Sequence, residues 1–250
     1  MFSVDYRDQV CNFILGMADT DNRITSGAVV GSLALSEGDR WSDLDLTFAV
    51  ADEFNQLDVL EDWTDRIVEK FNAAHLFDLP SGASIYRVFL LPDCLQFDLS
   101  FTPASKFGAT GPKFKLLFGS AVEKPYNPPP AARDLFGYAV HHALRARFCI
   151  ERGKLWQAEY WVHSTRDYAL NLACLRLGLP SNNGRGYDAL PKEVLDAFKD
   201  TFVITLEKNE LQKALNNCIK GLLSETHLVQ DLALQVEPQL QILTAVWEGM

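Results

Sequence analysis

A mixed α/β unit followed by an all-helical one is the fold class this 250-residue sequence predicts. Three observations carry that expectation. In the first half, short segments alternate apolar and polar residues at the two-residue period of a strand, and they are set between stretches with helical spacing. The run Lys124-Pro125-Tyr126-Asn127-Pro128-Pro129-Pro130 can neither continue a helix nor pair as a central strand, and reads as a linker. Beyond it the pattern is helical almost throughout. The class is therefore α+β: a small mixed β-sheet flanked by helices over 1–124, then an all-α helical bundle over 131–250.

The elements follow in order. Residues 4–19 place Val4, Val10, Phe13, Ile14 and Met17 at helical spacing, which predicts an opening amphipathic helix. A first strand is expected over roughly 24–32, and a second over 43–50 after a polar loop. Leu57, Leu60, Trp63, Ile67, Val68 and Phe71 predict a helix over 56–75. Leu79-Pro80-Ser81-Gly82 punctuates the chain, two alternating segments follow at 84–91 and 94–101, and 113–123 supplies one more edge strand. After the linker, helices are expected at about 131–152, 154–178, 191–203, 208–224 and 228–248. No internal repeat or low-complexity tract is present.

Composition excludes several classes. No run of about 18 apolar residues exists, and Met1-Phe2-Ser3-Val4-Asp5 is not the basic-then-apolar start of a signal peptide, so the expectation is a soluble, cytoplasmic protein without a membrane partner. Five cysteines, far apart and never as Cys-x-x-Cys, argue against a disulfide framework and against sulfur-bound zinc. The net charge is −10, concentrated in residues 1–124, where 19 acidic residues face 10 basic ones. Such a chain is a poor general binder of nucleic acid, because neutralising phosphates dominates that affinity. Within 133–185 the balance reverses, with eight arginines and lysines against four acids. By itself that count describes solvated helix faces.

The densest chemistry lies between Gly31 and Leu46. In Asp43-Leu44-Asp45-Leu46-Thr47-Phe48, alternation puts both aspartates on one strand face, about 6.6–7 Å apart along the strand. Like charges so placed repel unless a cation holds them, which points to a divalent metal. In Leu95-Gln96-Phe97-Asp98-Leu99-Ser100-Phe101 the third aspartate again opposes an apolar stripe. If the two strands are neighbours, Asp43, Asp45 and Asp98 meet above one sheet face. They could then hold two ions about 3.5–4 Å apart, a spacing that clamps the attacking and leaving oxygens of a phosphoryl displacement. Carboxylate oxygens favour Mg2+. Gly31 lets a ligand approach the backbone, and Ser32 with nearby amides can bind phosphate oxygens.

Together these residues carry a resemblance: Gly31-Ser32, ten residues, Ser42-Asp43-Leu44-Asp45-Leu46, and a strand-borne Asp98. The pattern resembles the nucleotidyltransferase superfamily related to DNA polymerase β, in particular its antibiotic-modifying members with a helical C-terminal domain. The resemblance implies Asp43 and Asp45 as ligands of metal and nucleoside triphosphate. It implies Asp98 as a metal ligand that helps deprotonate an acceptor hydroxyl, and Gly31, Ser32 and Ser42 as the nucleotide side of the site. It implies two Mg2+ ions, an NTP such as ATP, and a small hydroxyl-bearing acceptor such as an antibiotic, with release of pyrophosphate. Many members carry a basic residue where this chain has Leu35; Arg40, five residues later, or an arginine of the second half is the candidate substitute. In the second half Glu159, His163 and Arg166 share one helical face, with Glu159 as a candidate catalytic base beside the plainer reading of a solvated face. Two alternatives stand beside small-molecule transfer: nucleotidylation of a protein, as in toxin–antitoxin pairs, and a nucleotide-binding module without turnover.

Overall fold

The protein is described from a computed structural model over residues 1–35 and 38–245. The chain forms two compact units, Met1–Asn127 and Pro128–Met250. The first contains α1 (Val4–Thr20), β1 (Ile24–Val30), β2 (Leu44–Val50), α2 (Gln56–Phe71), β3 (Ala74–Ser81), β4 (Ser84–Leu91), β5 (Leu95–Pro103) and β6 (Phe114–Phe118). Its sheet runs in the order β3-β4-β5-β2-β1-β6. Every neighbouring pair is antiparallel except β2 with β5, which run parallel. The sheet is therefore mixed, with β6 at one edge and β3 at the other.

One sheet face is apolar and holds the core. Leu44, Leu46 and Phe48 of β2 lie beside Phe97, Leu99 and Phe101 of β5, all buried. Val10, Ile14 and Met17 of α1 and Val59, Leu60, Trp63 and Ile67 of α2 belong to the same cluster. The Trp63 ring meets Phe48 at 5.2 Å and Phe101 edge-on at 5.1 Å. Its indole N–H donates to Asp21 Oδ2 at 2.8 Å. Asp21, just past α1, also accepts from Arg23 Nε and Nη2 at 2.9 and 2.8 Å, so one carboxylate joins the end of α1 to α2.

The edge strand β3 is exposed along its whole length, and an arginine beneath its neighbour fastens it. Arg87 of β4 is 3% exposed. It grips Asp78 of β3 through Nε and Nη2 at 2.8 and 2.7 Å, and reaches Glu61 and Thr64 of α2 at 2.8 Å each. The predicted helix over 56–75 ends earlier, at Phe71, where Asn72 adopts a left-handed C-cap (φ 51°) and the chain turns into β3.

The second unit comprises α3 (Ala132–Glu151), α4 (Leu155–Arg176), α5 (Lys192–Phe198), α6 (Lys208–Ser224) and α7 (Gln230–Thr244). Ala139, Ala143, Ala146, Ala158, Ala169 and Ala173 are buried in its core, small residues that let helices approach closely. Buried Arg147 donates to Gln212 at 2.5 Å and to the Leu243 carbonyl at 3.2 Å, joining α3 to α6 and α7. The helix expected over 191–203 is shorter, giving way to a tight turn at Lys199–Thr201. The end of the one expected over 228–248 lies partly outside the described residues. Among the described residues no helix is long and apolar enough to cross a membrane.

Two stability outcomes follow. Arg87→Met is expected to lower unfolding free energy by about 2–3 kcal/mol in urea denaturation; the partly exposed partners keep the loss below that of a fully buried pair. The hydrogen bonds from Arg23, then Trp63, hold the Asp21 carboxyl down to about 2. A folded value below the ordinary carboxylate value of about 3.9 gives stability that is complete above that pH and is lost on acidification. Asp21→Asn should therefore flatten the acid limb of the stability profile between about pH 4 and 2, measured by thermal melts against pH.

Candidate functional site

The face opposite the core is polar where β2 and β5 begin. Parallel pairing puts Asp45 directly beside Asp98, with Thr47 beside Ser100 one step further along. Asp98 is half-buried, and Gln96 Nε2 donates to its Oδ1 at 3.0 Å. Burial pushes the Asp98 carboxyl up, and the negative charge of Asp43 pushes it further; the Gln96 hydrogen bond opposes both. Tyr86 of β4, the register partner of Ser100, lies on the same face. Burial raises its phenol, the nearby Ser100 hydroxyl opposes that, and the charge of Asp45 adds to it. Ser100 is buried beside Tyr86.

Gly31 follows β1 and opens a tight turn, Gly31–Leu35, with φ +71°. That backbone conformation favours glycine. A Cβ there would also collide with Asp45 Oδ2, so the position is closed to side chains twice over. The Gly31 amide donates to the Lys113 carbonyl at 3.2 Å, which ties the turn to the approach of β6. Ser32 sits half-buried in the turn, and Leu35 is 44% exposed at its end.

The loop into β2 is a closed turn. The Asp39 carboxylate accepts from the Trp41 amide at 2.8 Å and from the Ser42 hydroxyl at 3.1 Å, and Ser42 Oγ accepts from the Asp39 amide at 2.9 Å. The Trp41 amide, then the Ser42 hydroxyl, hold the Asp39 carboxyl below its usual range. Arg40 is exposed and stacks its guanidinium 4.1 Å from the Trp41 ring centroid.

The structure thus brings Asp45, Asp98 and Gly31 together and keeps Asp43 within electrostatic reach of Asp98. Strand β2 starts at Leu44, so Asp43 belongs to the end of the loop rather than to the alternating face. Among the described residues, no three His, Cys, Asp or Glu side chains stand close enough together to hold one ion. The donor set, carboxylate oxygens of Asp45 and Asp98 on one face with Asp43 nearby, suits a hard divalent cation.

The second-unit candidates separate. Glu159 is half-buried on α4. Arg166 turns inward, donates to the Thr201 carbonyl at 3.3 Å and stacks over Phe202. His163 is outward and pairs with Asp167 at 3.1 Å, while its other ring nitrogen meets Arg166. Arg7 and Asp39, which shape the approach to Asp43, carry no sequence signal beyond their charge.

No family model matches the chain, and no curated protein matches it. Among solved structures it is similar to an aminoglycoside 6-adenyltransferase from Bacillus subtilis, with 12% identity over 96% of this chain and 99% of that one and a TM-score of 0.42. The chain's own residues carry the functional reading.

Asp43→Asn should lower the Asp98 titration midpoint, followed by carboxyl carbon NMR. The midpoint should stay above the ordinary value, because burial is the larger cause of its rise.

Proposed function

We propose that this protein is a Mg2+-dependent nucleotidyltransferase that moves a nucleoside monophosphate from an NTP, ATP in the first instance, to a hydroxyl of a small acceptor. The observation that carries the reading is the pairing of Asp45 with Asp98 on adjacent parallel strands, with Gly31 held in a left-handed turn against the Asp45 carboxylate. Asp43, Asp45 and Asp98 are the residues that would hold magnesium, which when bound neutralises phosphate charge and polarises the phosphoryl group. Gly31, Ser32, Ser42 and Arg40 are assigned to the nucleotide, the first two through a turn whose backbone suits phosphate oxygens.

The acceptor hydroxyl oxygen bonds to the α-phosphorus as the bond to the bridging oxygen of the β-phosphate breaks, and pyrophosphate leaves. The hydroxyl proton passes to Asp98, whose raised proton affinity suits a general base. Glu159 is the second carboxylate assigned to acceptor deprotonation. An antibiotic is the acceptor class that the motif resemblance suggests. Leu35, exposed where many members carry a basic residue, favours one further reading, a nucleotide-binding module without turnover.

The test is incubation with Mg2+, labelled NTPs and a panel of aminoglycosides, lincosamides and candidate protein acceptors. Transfer to a small acceptor is expected, and Asp45→Asn and Asp98→Asn should each reduce it at least about a hundredfold with the fold intact. Glu159→Gln distinguishes the two bases: loss comparable to Asp98→Asn assigns it a catalytic part, and unchanged turnover removes it. NTP binding without turnover leaves the module reading. No NTP binding at all sinks both.

A further inference from the structure

We infer that Arg7 is a positioning residue for the carboxylate site: it clamps the turn that delivers Asp43. The inference rests on the cation-binding reading of Asp43, Asp45 and Asp98. Arg7 lies in the first turns of α1 and is 6% exposed, a buried cation on a helix that otherwise packs through Val10, Ile14 and Met17. Its Nη1 donates to the Asp39 carbonyl and to the Ser42 carbonyl, both at 2.8 Å. These two carbonyls bracket the turn Asp39–Ser42, and the second belongs to the residue immediately before Asp43. A charged donor shared by two carbonyls makes stronger hydrogen bonds than neutral ones, and buried bonds resist exchange with water.

The same turn is closed from its own side by the Asp39 carboxylate on the Trp41 amide and the Ser42 hydroxyl. It is also packed back onto the Gly31–Leu35 turn: a Cβ at Gly38 would collide with the Leu33 side chain. Arg7 therefore fixes, from the helix layer, the Asp39–Ser42 turn that leads into the aspartate strand. β2 begins only at Leu44, so sheet pairing does not hold Asp43. The clamp supplies the restraint that the sheet does not.

Three measurements test this on the full chain: hydrogen exchange over 39–43, Mn2+ affinity by electron paramagnetic resonance, and the melting temperature. In Arg7→Met, the Trp41 and Ser42 amides should exchange faster, and Mn2+ should bind at least about tenfold more weakly, the range seen when outer-sphere partners of metal ligands are lost. Arg7→Lys, which keeps a donor for both carbonyls, should recover most of that affinity. A purely structural arginine would lower the melting temperature in both variants without this split in affinity. Asp39→Ala loosens the turn from the exposed side, and should weaken Mn2+ in the same direction if Arg7→Met does not fold. Unchanged exchange over 39–43 in the folded variants overturns the clamp. Faster exchange with unchanged Mn2+ affinity overturns its positioning role. Wild-type protein that binds no Mn2+ saturably overturns the cation reading itself, whatever Arg7 does to the loop.

Discussion

Parallel pairing of β2 with β5 in the register Asp45↔Asp98 constrains the rest of the first unit. The pairing places two carboxylates side by side, and the mutual repulsion of like charges opposes that arrangement. The opposite face settles the contest. Leu44, Leu46, Phe48, Phe97, Leu99 and Phe101 are buried there in the same register, each contributing about 1.5–3 kcal/mol. A one-residue slip would exchange the faces, taking carboxylates into the core and phenylalanines into solvent. The apolar face thus holds the carboxylates where their own repulsion would not.

That constraint propagates into the connections. Beside Asp45, the chain leaving β1 turns through a left-handed backbone at Gly31, a conformation that favours glycine. The segment after β5 packs Phe107 over Ala28 and Ala49, small residues at the other end of the polar face, so this face is covered apolarly at one end and polar at the other. Ser100 and Tyr86 occupy the ground between, on strands whose alternate residues point into the core. Arg87 shows the rule working in reverse: a charged residue on the core side is tolerated because Asp78, Glu61 and Thr64 bond its guanidinium.

Much of this was legible in the sequence because period-two alternation reports burial directly. The aspartate strands follow from it, while α1, α2 and the helices of the second unit follow from the helical spacing of their apolar residues. β3 did not: Ala74–Ser81 is exposed throughout, carries Pro80 and shows no alternation, so its strand character comes from pairing with β4 and from Arg87 beneath it. Asp43 was read as part of the alternating strand, yet pairing begins one residue later, and alternation cannot locate a strand's first residue. Arg7 of α1 carried no sequence signal beyond its charge. Its partners lie 32 and 35 residues away, and no local pattern encodes them. The Glu159–His163–Arg166 face gives the opposite lesson, since helical spacing alone does not decide which side chain turns inward; packing against Thr201 and Phe202 does.

Asp98 shows how the two demands on one carboxylate can be divided between its oxygens. Gln96 lies on the same strand face two residues earlier and donates to Oδ1, which fixes the carboxyl plane without supplying a charge. A cationic partner in that place would lower the proton affinity and weaken the group as a base, whereas a neutral amide orients it at smaller cost. Oδ2 is the oxygen that Gln96 does not engage. Burial and Asp43 together raise the proton affinity of the whole group. Orientation by a neutral donor, combined with basicity from burial and a like-charged neighbour, is the combination that proton abstraction from a hydroxyl requires. Under the proposed transfer, Asp98 would combine ligation with proton transfer.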